Sequence, residues 1–180
     1  VLHDRQPMVT GADGKAVLAR IAALAADVPA RVVFLPGYDL ALARALVQGV
    51  DVWLNLPRRL EEASGTSGMK AALNGTPSLS VLDGWWAEGY DPGIGWAIAG
   101  SGEATRADQD GADADELFRL LHDEVVPRYY GPDGLSSLGR AAIASVGTRF
   151  TSHRMVAEYA ERFYAPAHAE AVSEPSRAPR

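Results

Sequence analysis

Two rhythms of apolar positions alternate along the chain. Val17, Leu18, Ile21, Leu24 and Ala25 recur at helical spacing and predict a helix over Gly14–Val28, stopped by Pro29. Arg31–Leu35 (RVVFL) is then a short, β-branched, continuous apolar run closed by Pro36-Gly37. That pattern belongs to a strand buried on both faces. Asp39 can cap a second helix through Gly49, with Leu40, Ala43, Leu46 and Val47 facing inward. Val50–Leu54 predicts a second strand, and a polar link through Pro57, Arg58 and Arg59 leads to a Gly/Ser/Thr-rich turn at Ser64–Gly68. A short helix over Met69–Leu73 follows, with Asn74-Gly75 as its stop. Ser78–Leu82 predicts a third strand, Asp83–Ile94 a Trp/Gly-rich loop, and Gly95–Ala99 a fourth strand.

Alternating strands and helices with short connections predict an α/β fold with a parallel sheet. The second half is helical. Ser101–Ala112 is polar and predicts a surface loop, after which Asp113 caps a helix striped by Leu117, Leu120, Leu121, Val125 and Val126. Two more helices are predicted, Ser136–Thr148 and Ser152–Tyr164. Ser152 would cap the second, with Met155, Val156, Tyr159 and Phe163 inward. The end of the chain, Glu174–Arg180, is rich in Pro, Ser and Arg and reads as frayed.

Composition narrows the function. The 180 residues are 47% hydrophobic and 22% charged, as in a globular domain. A net charge of −6 argues against a general nucleic-acid binder. The absence of Cys excludes disulfides, cysteine nucleophiles and Cys-based zinc sites. His3, His122, His153 and His168 have no ligand spacing, so no metal site is expected. No run of about 18 apolar residues predicts a membrane span. The chain begins at Val1 rather than Met and reads as a truncation.

The chemistry concentrates in Glu61–Lys70 (EEASGTSGMK). Small residues let backbone N–H groups approach an anion, and the helix that follows adds a positive dipole end. Ser64, Thr66 and Ser67 add hydroxyls, so the turn suits a phosphate or the hydroxyls of a sugar. Such turns are more often plain loops, and no Walker A spacing is present. Lys70 sharpens the picture. Lysines are mostly exposed helix residues, but this chain has only two, Lys15 and Lys70, against 15 Arg. A lysine held against apolar walls has a lowered pKa and can condense with an aldehyde. An amine beside a phosphate-type turn is what a pyridoxal phosphate site requires. Glu62, acceptor-only, suits a sugar diol, whereas Glu61 beside it reads as solvated. Tyr38 follows a strand end, where ligands collect in open α/β sheets. Trp85, Trp86 and Tyr90 read as packing rather than sugar stacking. Asp83 reads as a turn residue or strand-end acceptor, and Arg58 and Arg59 as solvated.

The string Glu62–Lys70 (EASGTSGMK), continuing to Ala71-Ala72-Leu73-Asn74-Gly75 and Leu82-Asp83-Gly84-Trp85-Trp86, resembles the signature region of the α-glucan (glycogen/starch/maltodextrin) phosphorylases, in their shorter bacterial and archaeal branch. Phe34-Leu35-Pro36-Gly37-Tyr38 and Val50–Asn55 fit as well. The resemblance covers about Val32–Trp96, with fold-level similarity to about Tyr164. Ser67-Gly68 stand where the longer animal-type branch has Gly-Asn.

The resemblance implies a Rossmann-like parallel sheet flanked by helices, the C-terminal domain of a two-domain GT-B-type glycosyltransferase. Residues 1–165 would form that domain, incomplete at its N-terminal side, and 166–180 a flexible tail. It implies reversible phosphorolysis of α-1,4-glucan ends by inorganic phosphate, releasing α-glucose 1-phosphate, with pyridoxal 5'-phosphate as cofactor. The family's cofactor-binding lysine falls on Lys70, and the cofactor's phosphate does the chemistry. Thr66 and Ser67 fall on the groups that hold that phosphate, and Tyr38 on the tyrosine near the cofactor ring. Glu62 falls on the carboxylate that binds the glucosyl ring, with Ala63, Ser64 and Gly65 offering N–H groups. The missing N-terminal domain of the same polypeptide would be the main partner, and homo-oligomerisation stays open. The location implied is cytoplasmic. The chain alone is expected to be inactive, because basic residues that hold the substrate phosphate lie outside it. Two alternatives remain. One is a nucleotide-sugar glycosyltransferase of the glycogen synthase type. That family carries a second glutamate eight positions after the first, where this chain has Lys70. The other is a non-catalytic sugar-binding fragment.

Overall fold

Two parallel sheets form among the residues that the computed structural model describes, 2–3, 12–29, 31–100 and 105–173. They fall in separate units, Val1–Leu46 and Val47–Arg180. In the first unit, β1 (Leu2–His3) pairs with β2 (Phe34–Leu35), Leu2 opposite Phe34. The helix α1 (Ala12–Asp27) lies between them in sequence, as a parallel pair requires. The helix α2 (Leu40–Gly49) follows, and the Asp39 carboxylate accepts the Leu42 amide at 2.8 Å, the expected cap. Leu40 is exposed rather than inward, since it sits in the first turn of α2.

In the second unit, β3 (Trp53–Asn55), β4 (Ser78–Val81) and β5 (Gly95–Ile98) form a parallel sheet in the order β3-β4-β5. The helix α3 (Thr66–Leu73) connects β3 to β4, and α4 (Trp85–Gly89) connects β4 to β5. All four residues of β4 are buried, as a central parallel strand demands. The chain then continues through α5 (Arg106–Leu120), a π-helical turn at Leu121–Val125, α6 (Val126–Tyr129), α7 (Ser136–Arg149), α8 (Ser152–Tyr159), a second π-turn at Ala160–Tyr164 and α9 (Ala165–Ser173).

The core of this unit has two parts. Leu79, Val81, Trp96 and Ile98 of the sheet pack with Leu120, Val125 and Leu138. Trp85 and Trp86 pack with Ala72 of α3 and Ala142 and Val146 of α7. The Trp86 indole N–H donates to the Trp96 carbonyl at 3.1 Å, so its polar end is satisfied inside the core. Trp85 sets its ring edge-on to Phe150, with centroids 5.4 Å apart. The Trp-rich stretch is therefore packing, as expected, but its first part is a helix rather than a loop.

Other expectations change as well. Residues 106–112 are helical, not a surface loop; 101–104 lie outside the described residues. The reason is a capping box: Thr105 accepts the Asp108 amide while the Asp108 carboxylate accepts the Thr105 amide. Thr151, not Ser152, caps α8, accepting the Arg154 amide at 3.2 Å. Met155, Val156, Tyr159 and Phe163 are 43–58% exposed, so the stripe expected to face inward faces out. Helix continues to Ser173, and the frayed end expected at Glu174–Arg180 lies outside the described residues. Among the described residues no helix is long and apolar enough to cross a membrane.

Candidate functional site

The signature segment lies beyond the C-terminal end of β3 and leads into α3. The helix starts at Thr66, three residues earlier than the sequence suggests, so Thr66, Ser67 and Gly68 form its first turn. Gly65 sets the entry at φ 78°, and an added Cβ there would also meet Trp85 Cδ1 at 3.0 Å. Only glycine serves at such a position without strain. No side chain caps the helix at this residue. The amides of Thr66 and Ser67 precede the first intrahelical bond, and so stand as free donors at a helix start.

One face of α3 (Gly68, Ala71 and Ala72) is buried, with Gly68 pressed against the Trp85 indole. Thr66, Lys70 and Leu73 lie at i, i+4 and i+7 on the opposite face, and all three are exposed. Lys70 is therefore not held against apolar walls of this chain. Its inward neighbours turn it outward, toward the same side as Thr66. The Asn74 side-chain amide donates to the Lys70 carbonyl at 2.7 Å and closes the helix beneath it.

Glu62–Gly65 is fixed from below by Asp83, just past the end of β4. Asp83 is 9% exposed. Its carboxylate accepts the Glu62 amide at 3.0 Å through Oδ2 and the Gly84 amide at 2.9 Å through Oδ1. Burial by itself would push this carboxyl up. The amides of Glu62 and Gly84, joined by those of Leu60 and Glu61, outweigh it and hold the group below the usual carboxylate range. The strand-end acceptor role expected of Asp83 is what the geometry shows. The Glu62 side chain curls back, its Oε1 3.4 Å from the Ser64 amide, and the Ser64 carbonyl accepts the Trp85 amide at 2.8 Å.

A consequence follows for acid stability. The folded pKa of Asp83 lies below its unfolded value of about 3.9. Its contribution to stability is therefore complete well above that value and is lost as the pH falls through the folded pKa. Asp83→Asn should flatten the steepest part of the acid-unfolding curve below about pH 4. Intrinsic fluorescence of the four tryptophans measures it; an unchanged acid limb would contradict it.

The remaining charges are structural. Glu61 points away from Glu62 and pairs with exposed Arg106 at 2.9 Å. Arg58 pairs with Asp110 at 3.0 Å, also exposed. Arg59 is not solvated as the sequence suggests. Its guanidinium donates to the Ile98 carbonyl at 2.9 Å and to Asp113 at 3.3 Å, and lies where a Cβ on Gly100 would sit. It ties the loop before the signature to the end of β5.

A cavity of about 430 Å³ opens beside the turn, with Ser64, Thr66 and Trp85 on one side and Phe150, Thr151 and Tyr159 on the other. Neither Glu62 nor Lys70 lines it. Tyr38, half-buried in the loop after β2, belongs to the first unit. The structure thus gathers Glu62, Ala63, Ser64, Gly65, Thr66, Ser67 and Lys70 on one loop and helix. What sequence reasoning missed is the anchoring role of Arg59, which no local signal in the sequence announces. No group of three or more metal-ligating side chains is found among the described residues.

Comparison with known proteins shows what the chain is similar to. Residues 24–88 match the family model of the carbohydrate phosphorylases. The chain is 47% identical over 144 residues to the maltodextrin phosphorylase of Thermococcus litoralis, covering 79% of this chain and 17% of that protein. It is 43% identical over 160 residues to the glycogen phosphorylase of Aquifex aeolicus, covering 84% and 23%. Against the glycogen phosphorylase of Mycobacterium tuberculosis it is 42% identical over 163 residues, covering 86% and 19%. The chain thus spans about a fifth of the length of these curated relatives.

Proposed function

We propose that this chain, similar over residues 24–88 to the carbohydrate phosphorylases, supplies the cofactor-binding and glucosyl-binding half of an active site. That site cleaves α-1,4-glucan ends with inorganic phosphate and releases α-glucose 1-phosphate. The observation that carries the reading is the outward stripe of α3. Lys70 and Thr66 share it, one turn apart, beside amides that no side chain caps.

Pyridoxal 5'-phosphate fits these residues. It needs an amine for its aldehyde and N–H donors for its phosphate, and Lys70 with the Thr66 and Ser67 amides offers both on one rigid helix. When bound, the group supplies a phosphate that exchanges a proton with the substrate phosphate. The chain's own residues hold and orient. Lys70 retains the cofactor. Thr66 and Ser67 fix its charged end by hydrogen bonds and the helix dipole. Glu62 accepts from ring hydroxyls. The amides of Ala63, Ser64 and Gly65 donate to them, the 3.4 Å Glu62–Ser64 contact being long enough to yield to a better partner. Tyr38 is assigned to the cofactor ring on the resemblance alone. The finer architecture, a Rossmann-like C-terminal GT-B domain closed by an N-terminal domain that brings the basic groups for the substrate phosphate, belongs to the same reading. So does a cytoplasmic location, where glucan and phosphate meet.

The test is turnover by the full-length enzyme. Glucose 1-phosphate should appear from glucan only with inorganic phosphate and pyridoxal 5'-phosphate, and the isolated 180-residue chain should release none. Glucosyl transfer from a nucleotide sugar without phosphate would replace this reading with that of a synthase.

A further inference from the structure

We propose that Asp83 is a positioning residue for glucosyl binding: its carboxylate sets the backbone of Glu62, and through it the aim of the Glu62 side chain and of the Ala63–Gly65 amides. The proposal rests on the reading of Glu62 as the sugar anchor.

The links form a closed circuit. Asp83 holds the Glu62 amide through one oxygen and the Gly84 amide through the other. Glu62 reaches the Ser64 amide, and the Ser64 carbonyl takes the amide of Trp85, the residue after Gly84. The two loops touch through their backbones. A Cβ on Gly84, at φ 51°, would lie 2.7 Å from the Ser64 oxygen and 2.9 Å from Glu62 Cγ. No side chain larger than hydrogen fits between them, so a movement of the Asp83 corner is passed directly to the sugar-binding loop.

Leu60 supplies an independent sign. It is the one non-glycine residue with positive φ, at 65°, among the described residues. Its side chain is 95% exposed, so packing does not hold it there. Leucine in this region is strained. The conformation lies two residues before the Glu62 amide, while the Glu61 amide between them closes a turn onto the Arg58 carbonyl at 3.0 Å. That turn delivers the Glu62 amide to the Asp83 carboxylate at 3.0 Å. The strain is thus set against charge-assisted hydrogen bonds that fix the start of the signature segment.

The experiment uses the full-length enzyme in the glucan-lengthening direction, with glucose 1-phosphate varied. Asparagine offers one acceptor oxygen where aspartate offers two, so Asp83→Asn frees one of the two amides. It should lower kcat/KM by about ten- to a hundredfold, the scale of a misplacement near 1 Å. The loss should shrink in a Glu62→Ala background, because the part of it that acts through the Glu62 carboxylate is already gone, leaving only the part that acts through the Ala63–Gly65 amides. A residue that merely supported the fold would cost the same factor in either background. Leu60→Val gives a second reading without touching the core: a β-branched residue opposes positive φ, and kcat/KM should fall several-fold, whereas Leu60→Gly should retain it. Unchanged kcat/KM in Asp83→Asn, an equal loss in the Glu62→Ala background, or wild-type behaviour of Leu60→Val would each overturn the proposal. Unchanged kcat/KM in Glu62→Ala alone would remove the sugar-anchor reading, and the proposal with it.

Discussion

Lys70→Ala in the full-length enzyme is expected to abolish covalent retention of pyridoxal 5'-phosphate. Glucose 1-phosphate release should fall by about a thousandfold or more, the scale seen when one member of a catalytic unit is removed. The amine is the only group on the outward face of α3 that an aldehyde can capture. Lys70→Arg separates charge from chemistry, since a guanidinium keeps the positive charge but stays protonated. It should lose the cofactor as completely as alanine does. Neither change should disturb the fold. Lys70 is exposed, and exposed substitutions away from special features stay within about 0.5 kcal/mol. Borohydride treatment of the wild type, followed by proteolysis and mass spectrometry, should find a pyridoxyl group on the peptide containing Lys70. Covalent cofactor retained in Lys70→Ala would sink the assignment.

Much of this site is local, and local features are what a single sequence displays. The run Glu62–Lys70 is contiguous, so its order of carboxylate, small residues and amine already fixes which groups share one loop and helix. Strands β4 and β5 were legible because burial on both faces leaves an unbroken apolar or small-residue run. Helix α7 was legible because Ser136–Thr148 has the length of a helix and a turn before it. The start of α3 was harder to read. Gly65-Thr66-Ser67-Gly68 has poor helix propensity, and what makes it helical is Gly68 closing onto the Trp85 indole, a contact between residues 17 apart in sequence.

The missed features share a cause. Arg59 is an ordinary surface arginine until the chain returns with Ile98 and Asp113 to surround it. Asp83 is legible as a strand-end acceptor, but that one of its partners is the Glu62 amide, 21 residues earlier, emerges only when the two loops meet. Lys70 shows the opposite error. Its apolar neighbours Ala71 and Ala72 suggested a walled lysine, but on a helix adjacent residues point apart, and their burial is what turns Lys70 outward. The α8 stripe failed similarly. Its spacing is amphipathic, yet periodicity gives only the existence of an apolar face and not what covers it.

The support beneath α3 leads to the second large effect. Gly139 on α7 lies against the turn that ends α3: an ideal Cβ there would stand 2.4 Å from the Gly75 carbonyl oxygen. Two effects of Gly139→Ala compete. Helix propensity favours alanine by about 1 kcal/mol. The contact opposes it, because the obstacle is backbone that cannot rotate aside, and overpacking of this kind costs about 3 kcal/mol. The contact wins, so Gly139→Ala should be destabilising by about 2 kcal/mol or more, measured by urea unfolding of the chain. Gly147→Ala on the same helix is the control. Its added Cβ would meet Leu73 Cδ2 at 3.8 Å, an ordinary contact, so only propensity acts and stability should rise or hold. Opposite signs for two identical substitutions on one helix cannot come from propensity. They require the close seat of α7 on α3, where Ala72 packs with Ala142 and Val146. In the full-length enzyme Gly139→Ala should also weaken cofactor retention, because the helix carrying Lys70 and its free amides rests on that seat. If Gly139→Ala proves as stable as Gly147→Ala, the α3–α7 contact is looser than the 2.4 Å approach implies, and the support of α3 must come from Trp85 alone.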